Sequence, residues 1–158
     1  MLDPDLDVDN KMLPVEMQNA ALLSSNTWIE TESYTPILDV PNAIAGPEPP
    51  HAWCYYYEIA DLARQQKDWQ KVADFGDIAF ELGDYPNDPS ERIPFIEAYA
   101  HVGRWQRALE LSRESQQITP LMEPVLCNLW HRILIETPAS DEKDKTIEEV
   151  TEVLGCSK

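Results

Sequence analysis

Two short stretches constrain this chain more than any others: KDWQKVA at 67–73 and GRWQRAL at 103–109. Each sets a tryptophan, Trp69 or Trp105, ahead of Gln, a basic residue and two small or apolar residues, at a separation of 36 residues. Each also restarts a helical pattern after a break. HAWCYYYEIADLARQQ and IPFIEAYAHVG precede the tryptophans, and DWQKVADFGDIAFELG and RWQRALELSRESQQI carry them. In the first of the latter pair, Val72, Phe75, Ala79 and Leu82 recur at three- and four-residue intervals, and Gly83 supplies a C-terminal stop. A helix–turn–helix unit recurring at this length cannot bury its apolar face alone and must stack on a neighbour. A fifth helix, EPVLCNLWHRILIE, keeps the rhythm through Leu126, Leu129, Trp130 and Ile133. The first helix is apolar on nearly every side, with Trp53, Tyr56, Ala60 and Ala63 on one stripe and Tyr55, Ile59 and Leu62 on another. That pattern predicts a helix packed between others.

The chain divides into three regions. Residues 1–50 form an acidic N-terminal segment, a short helix from Pro14 to about Ser24, and an extended strap over 27–50. There Trp28, Ile29, Tyr34, Ile37 and Leu38 can pin the chain to a helical body. GPEPP ends regular structure before the next helix. Residues 51–137 hold the repeated helices. Residues 138–158 hold a last amphipathic helix, started by Ser140-Asp141 and stopped at Gly155, with Ile147, Val150 and Leu154 on a narrow apolar stripe. The predicted fold is all-α.

Charge decides which partners are ruled out. Against 12 Lys+Arg stand 29 Asp+Glu, a formal charge of −17. Such a field repels phosphate backbones and anionic lipid headgroups, so nucleic acid and membrane surfaces are not expected partners. No apolar run approaches the roughly 18 residues that span a bilayer. No basic stretch followed by an apolar one marks a signal peptide. The abrupt start in acidic, loop-like sequence fits a segment of a longer chain. The three cysteines, Cys54, Cys127 and Cys156, are odd in number and widely spaced, so no disulfide is expected. Cys54 and Cys127 read as small buried hydrophobes. Cysteines and histidines lack metal-ligand spacing, and no cofactor or metal is expected.

The second helix pair carries Phe95, Tyr99, Gly103, Trp105, Ala108 and Pro120 in the slots of a tetratricopeptide repeat, which it resembles. The first pair fits more loosely: Ala60 and Trp69 take the small and bulky slots, and Lys67 stands in place of the turn glycine. The third, 123–137, is half a unit. The resemblance covers a little over half the chain. It implies about two and a half repeats, a TPR-like stack of antiparallel helix pairs. Small residues Ala60, Ala79 and Ala108 would let helices approach, and the tryptophans would fill the space between pairs. It also implies a concave surface lined by the first helix of each pair. Tyr57, Asp61, Arg64 and Gln65 come from the first unit. Ile93, Glu97, Ala100 and His101 come from the second, and Cys127, His131 and Leu134 from the third. A short peptide would suit that mixture, unless the chain's own strap or tail fills it. Separately, LDPDLDVDNKMLP, PEPPHAWCYYYEIADLARQQKDW and ERIPFIEAYAHVGRW resemble the soluble C-terminal segment of large multi-span bacterial membrane proteins of glycosyltransferase-like type. That resemblance implies an accessory domain whose partner is the rest of its own chain.

Chemistry has few footholds. Ser112 and Ser115 lack His–Asp spacing, and no G-x-S-x-G or phosphate-cradling glycine loop occurs. Only 5 residues are glycine, so the flexible loops that build active sites are scarce. An enzyme is not expected. The opening MLDPDLDVDNKMLPVE raises one alternative. With Asp5 as first ligand of a twelve-residue calcium loop, Asp7, Asp9 and Glu16 fall at the third, fifth and twelfth places, and Asn10 stands where a left-handed glycine belongs. The opposing expectation is a solvated acidic segment packed through Leu2, Leu6, Val8 and Met12. The reading from sequence is a non-catalytic scaffold for protein–protein interaction, with the accessory domain and the calcium-responsive module as alternatives.

Overall fold

A computed structural model describes residues 2–25, 50–84 and 88–156, and the residues expected to pin the strap lie outside these ranges. The described residues form seven α-helices and two 3-10 turns and no strands, so the chain is all-α. The helices are α1 (Val15–Ala21), α2 (Trp53–Gln65), α3 (Trp69–Glu81), α4 (Ile93–His101), α5 (Trp105–Ile118), α6 (Glu123–Glu136) and α7 (Asp141–Leu154). The 3-10 turns Pro89–Arg92 and Pro120–Met122 lead directly into α4 and α6. No helix among the described residues is long and apolar enough to cross a membrane.

Local chemistry sets the boundaries. Asp68 caps α3 and Ser140 caps α7, each side chain accepting from the backbone N–H three residues on, that of Lys71 or Lys143. Gly83, Gly103 and Gly155 close α3, α4 and α7 with φ between +69° and +80°. The equivalent turn after α2 carries Lys67 at φ +58°, where a side chain strains the backbone. Lys67 thus occupies the conformation that Gly103 takes one repeat later.

α2 packs on α3 and α4 on α5, each pair joined by a three-residue turn. α3 crosses onto α4, while α2 and α6 flank α4 on either side. The outcome is a row of α2, α4 and α6, backed by α3 and α5. α4 is its centre, with every residue from Ile93 to Ala100 buried. Ala60, Ala79 and Ala108 are fully buried, as close helix approach requires. At the α3–α4 crossing Gly76 leaves no room at all: a Cβ there would stand 2.8 Å from both Phe95 and the Tyr99 hydroxyl. α2 departs from expectation. Its buried residues are Trp53, Ala60 and Ala63, while Tyr55 and Leu62 are about two-fifths exposed, so it lies at an edge of the row.

The C-terminus corrects the cysteine reading. α7 packs across α5 and α6 through Val150 and Leu154, and Cys156 reaches Cys127 at a Cα separation of 5.5 Å to form a disulfide. The sequence interval of 29 residues hid this pairing, because only the return of α7 brings the two together. Cys54 is a free thiol on an exposed position, not a core residue. At the opposite end of the α6–α7 pair, Lys143 is buried and donates to the carbonyls of Leu134 and Thr137, both at 2.7 Å, capping the end of α6.

Two outcomes follow for stability. Lys67→Gly should raise it by about 0.5–1 kcal/mol by relieving the left-handed turn, because its ion pair with Glu136 is exposed and weak. Urea unfolding at neutral pH measures the gain. Cys156→Ser should lower it by about 2–4 kcal/mol, the usual worth of closing a loop of this length, and a reducing agent should reproduce the loss in the parent chain.

Candidate functional site

The row of α2, α4 and α6 presents one charged residue from each helix to a common point: Arg64, Glu97 and Arg132. Glu97 is the anchor, with its side chain 2% exposed. Arg132 grips it bidentately, Nε donating to Oε1 at 2.8 Å and Nη2 to Oε2 at 3.0 Å. Arg64 donates to Oε2 from the other side at 3.4 Å. Asp61, one turn earlier on α2, accepts from Arg64 Nε at 3.0 Å and from Gln65 at 3.1 Å. A single buried carboxylate thus holds two guanidinium groups side by side with donors to spare.

Those donors take Asp3. Its Oδ2 accepts from Arg64 Nη1 at 3.0 Å and from Arg132 Nη1 at 3.1 Å, and its Oδ1 lies 3.3 Å from the same Arg132 nitrogen. The carboxylate is 14% exposed between arginines at 13% and 17%. The N-terminal segment is shaped to deliver it. Asp3 Oδ1 accepts from the N–H groups of Asp5 and Leu6, and Asp7 accepts from the N–H of Asp3. Leu6 then sinks into the core, and Asp9 accepts from Asn128 on α6. The segment therefore lies along the helix row as a ligand would. A cleft of about 180 Å³, lined by Asp5, Gln65, Lys67, Trp69 and Glu136, remains beside it.

Burial and charge pairing act in opposite directions on Asp3 and the two arginines. Burial pushes the Asp3 carboxyl up, but Arg132 and Arg64 outweigh it and hold the group below its ordinary 3.8. Burial alone would discharge the arginines, yet Glu97 with Asp61 and Asp3 raises Arg64, and Glu97 with Asp3 raises Arg132. At the edge, burial and then Asp61 and Glu91 push the Tyr57 hydroxyl up to about 12. It stays a neutral phenol beside Leu2, Leu6, Ile93 and Pro94.

The expected site residues divide into two groups. Tyr57, Asp61, Arg64, Gln65, Ile93, Glu97 and His101 fall on one face. His101 stacks on Trp69 at 4.1 Å between ring centroids, linking the first helix pair to the second. Cys127 and Leu134, from the third unit, line a separate apolar cleft of about 720 Å³ between α6 and α7, and exposed His131 borders both it and a cleft shared with Asp5, Arg132 and Glu136. Arg132, Asp3, Lys67 and Glu136 were missed. Arg132 had a signal, since Arg64, Glu97 and Arg132 recur at 33 and 35 residues, close to the repeat length.

The calcium-loop residues go to different partners. Asp5 lies 3.7 Å from Arg132, Asp7 accepts from Asn10 Nδ2, Asp9 accepts from Asn128, and Glu16 sits on the exposed first turn of α1. Asn10 is buried and accepts from the N–H of Met12, closing a turn in place of the expected left-handed one. Ser112 and Ser115 are also committed: both donate within α5, and Ser112 accepts from buried Trp130. Neither a family model, nor a curated protein sequence, nor a solved structure matches the chain.

Asp3→Asn should cost about 1–3 kcal/mol at neutral pH, the worth of hydrogen bonds to charged groups. Because the folded carboxyl titrates below its unfolded value, this contribution is present well above pH 3.8 and fades as pH falls through it. Unfolding curves of parent and variant should therefore converge in acid and stay parallel from pH 5 to 8.

Proposed function

We propose that this chain is a non-catalytic, TPR-like protein-interaction domain whose concave face, built from α2, α4 and α6, accepts an acidic, turn-forming segment of a polypeptide. The observation that carries the reading is the placement of Asp3. The face holds a stretch of polypeptide, and the contact made is a two-arginine grip on a carboxylate. Packing alone does not require this arrangement, because a buried charge network is costly unless every member is paired. An apolar cluster would hold three helices together as well.

The geometry also states what a ligand must supply. A carboxylate is needed between Arg64 and Arg132, and an apolar side chain two or three residues on must drop where Leu6 does. Half-buried Trp69, backed by the nearly buried His101 ring, offers a flat surface at the far end. The repeated tryptophans, the left-handed turn at Lys67 matching Gly103, and the alternation of front and back helices support the tetratricopeptide-like assignment. Because the occupant belongs to the same chain, the accessory-domain reading has an observation in its favour too. In that reading the face is satisfied internally and the domain's partner is further sequence of its parent.

A labelled peptide of residues 1–13 distinguishes the two. The Asp3→Asn chain should bind it with micromolar affinity, and Asp3→Asn with Arg132→Lys should not, because lysine keeps the charge but loses the fork. Fluorescence anisotropy reads the difference. If the Asp3→Asn chain ignores both this peptide and other acidic peptides, the segment is a fixed part of the fold and the interaction reading fails.

A further inference from the structure

The end of the helix row beyond the arginine grip contains a polar atom with nothing to bond. His101 lies one turn after Glu97 on α4, so both side chains project from the same face. Its ring is held flat on Trp69, 12° from parallel. The side chain is 9% exposed, and Nε2 is buried without a hydrogen-bond partner. Glu136 Oε2 on α6 is 3.8 Å away, too far for a hydrogen bond. Buried polar atoms are rarely left unsatisfied. Here the imidazole is locked in plane and aimed at a gap bounded by two carboxylates.

The gap has the size and chemistry of a cation site. One ligand atom each from Glu97, His101 and Glu136 lie within 4.8 Å of one another. The surrounding charges are unbalanced. Asp3, Asp5, Asp61, Glu97 and Glu136 oppose only Arg64, Lys67 and Arg132, leaving an excess of two negative charges. Arg132 donates to both oxygens of Glu97, and this guanidinium fork fixes the carboxylate's direction as partners of metal ligands do. The competing cation, Lys67, is 65% exposed and can swing into solvent.

We propose that Glu97, His101 and Glu136 form a binding site for a divalent transition ion of the zinc class. One imidazole nitrogen and two carboxylate oxygens suit a borderline cation better than calcium or magnesium, which take oxygen ligands. Two of the three ligands, Glu97 and Glu136, also line the 180 Å³ cleft, and a fourth coordination position would be filled by water or a ligand carboxylate. The site does not depend on the peptide reading, since its ligands come from two helices of the fold.

Titration with Zn²⁺ alone tests it, using the full oxidised chain with Cys54→Ser so that no free thiol competes. One equivalent should bind with a Kd of about 10 µM or tighter by calorimetry. His101→Gln and Glu136→Gln should each weaken it roughly 100-fold, at least the usual effect of disturbing a ligand's support, while His131→Gln should change nothing. The ¹⁵N resonance of His101 Nε2 should shift in step with occupancy, a signal that a purely structural role would not give. Should His101→Gln fail to fold, Glu136→Gln and the resonance decide the matter, because Glu136 lies at the surface. Binding that survives Glu136→Gln, the absence of a saturable equivalent, or an unmoved His101 resonance would each overturn the proposal.

Discussion

The rest of this structure depends on pairing one carboxylate buried in a protein interior. Glu97 sits at the centre of the most buried helix, where an unpaired charge would be ruinous. Its two oxygens therefore dictate the positions of Arg64 and Arg132, and through them the spacing of α2 and α6 about α4. Apolar packing brings the helices together but tolerates sliding. The bidentate fork of Arg132 fixes register, because guanidinium and carboxylate planes must align. Once both guanidinium groups are held there, their outward N–H groups demand another acceptor. Asp3 is the consequence of Glu97.

Much of the helical body was legible because it is periodic. The apolar spacing and the Gly and Ser-Asp punctuation give α3, α5, α6 and α7 to within about two residues, and the tryptophan repeat gives their pairing. Periodicity is blind to where an edge falls, so α2, with apolar residues on several sides, read as a central helix although it lies at the end of the row. It is blind also to which of two adjacent residues turns inward. His131 and Arg132 differ by one position, and the sequence reading selects the first while the fold turns the second toward the grip.

The N-terminal segment shows the other limit. Alternating aspartates invite a ligand-loop reading because composition is all the sequence offers there. The roles are set by contacts 61 and 129 residues away, and no local pattern encodes them. The cysteines failed for the same reason: an odd, scattered set hides a pair that meets only through the return of α7. Signals carried by neighbours in sequence survive translation into structure, and signals carried by neighbours in space do not.

The grip has a consequence for how the chain comes to be folded. Asp3 leaves the ribosome long before Arg64 and Arg132, and it has no seat until α2, α4 and α6 stand side by side. Its segment is therefore synthesised before its partners and seated after them, and closure requires a loop of well over a hundred residues. Through that interval the arginine pair is formed but empty. Until this segment returns, the two guanidinium groups have only Glu97 and Asp61 to pair with among the described residues.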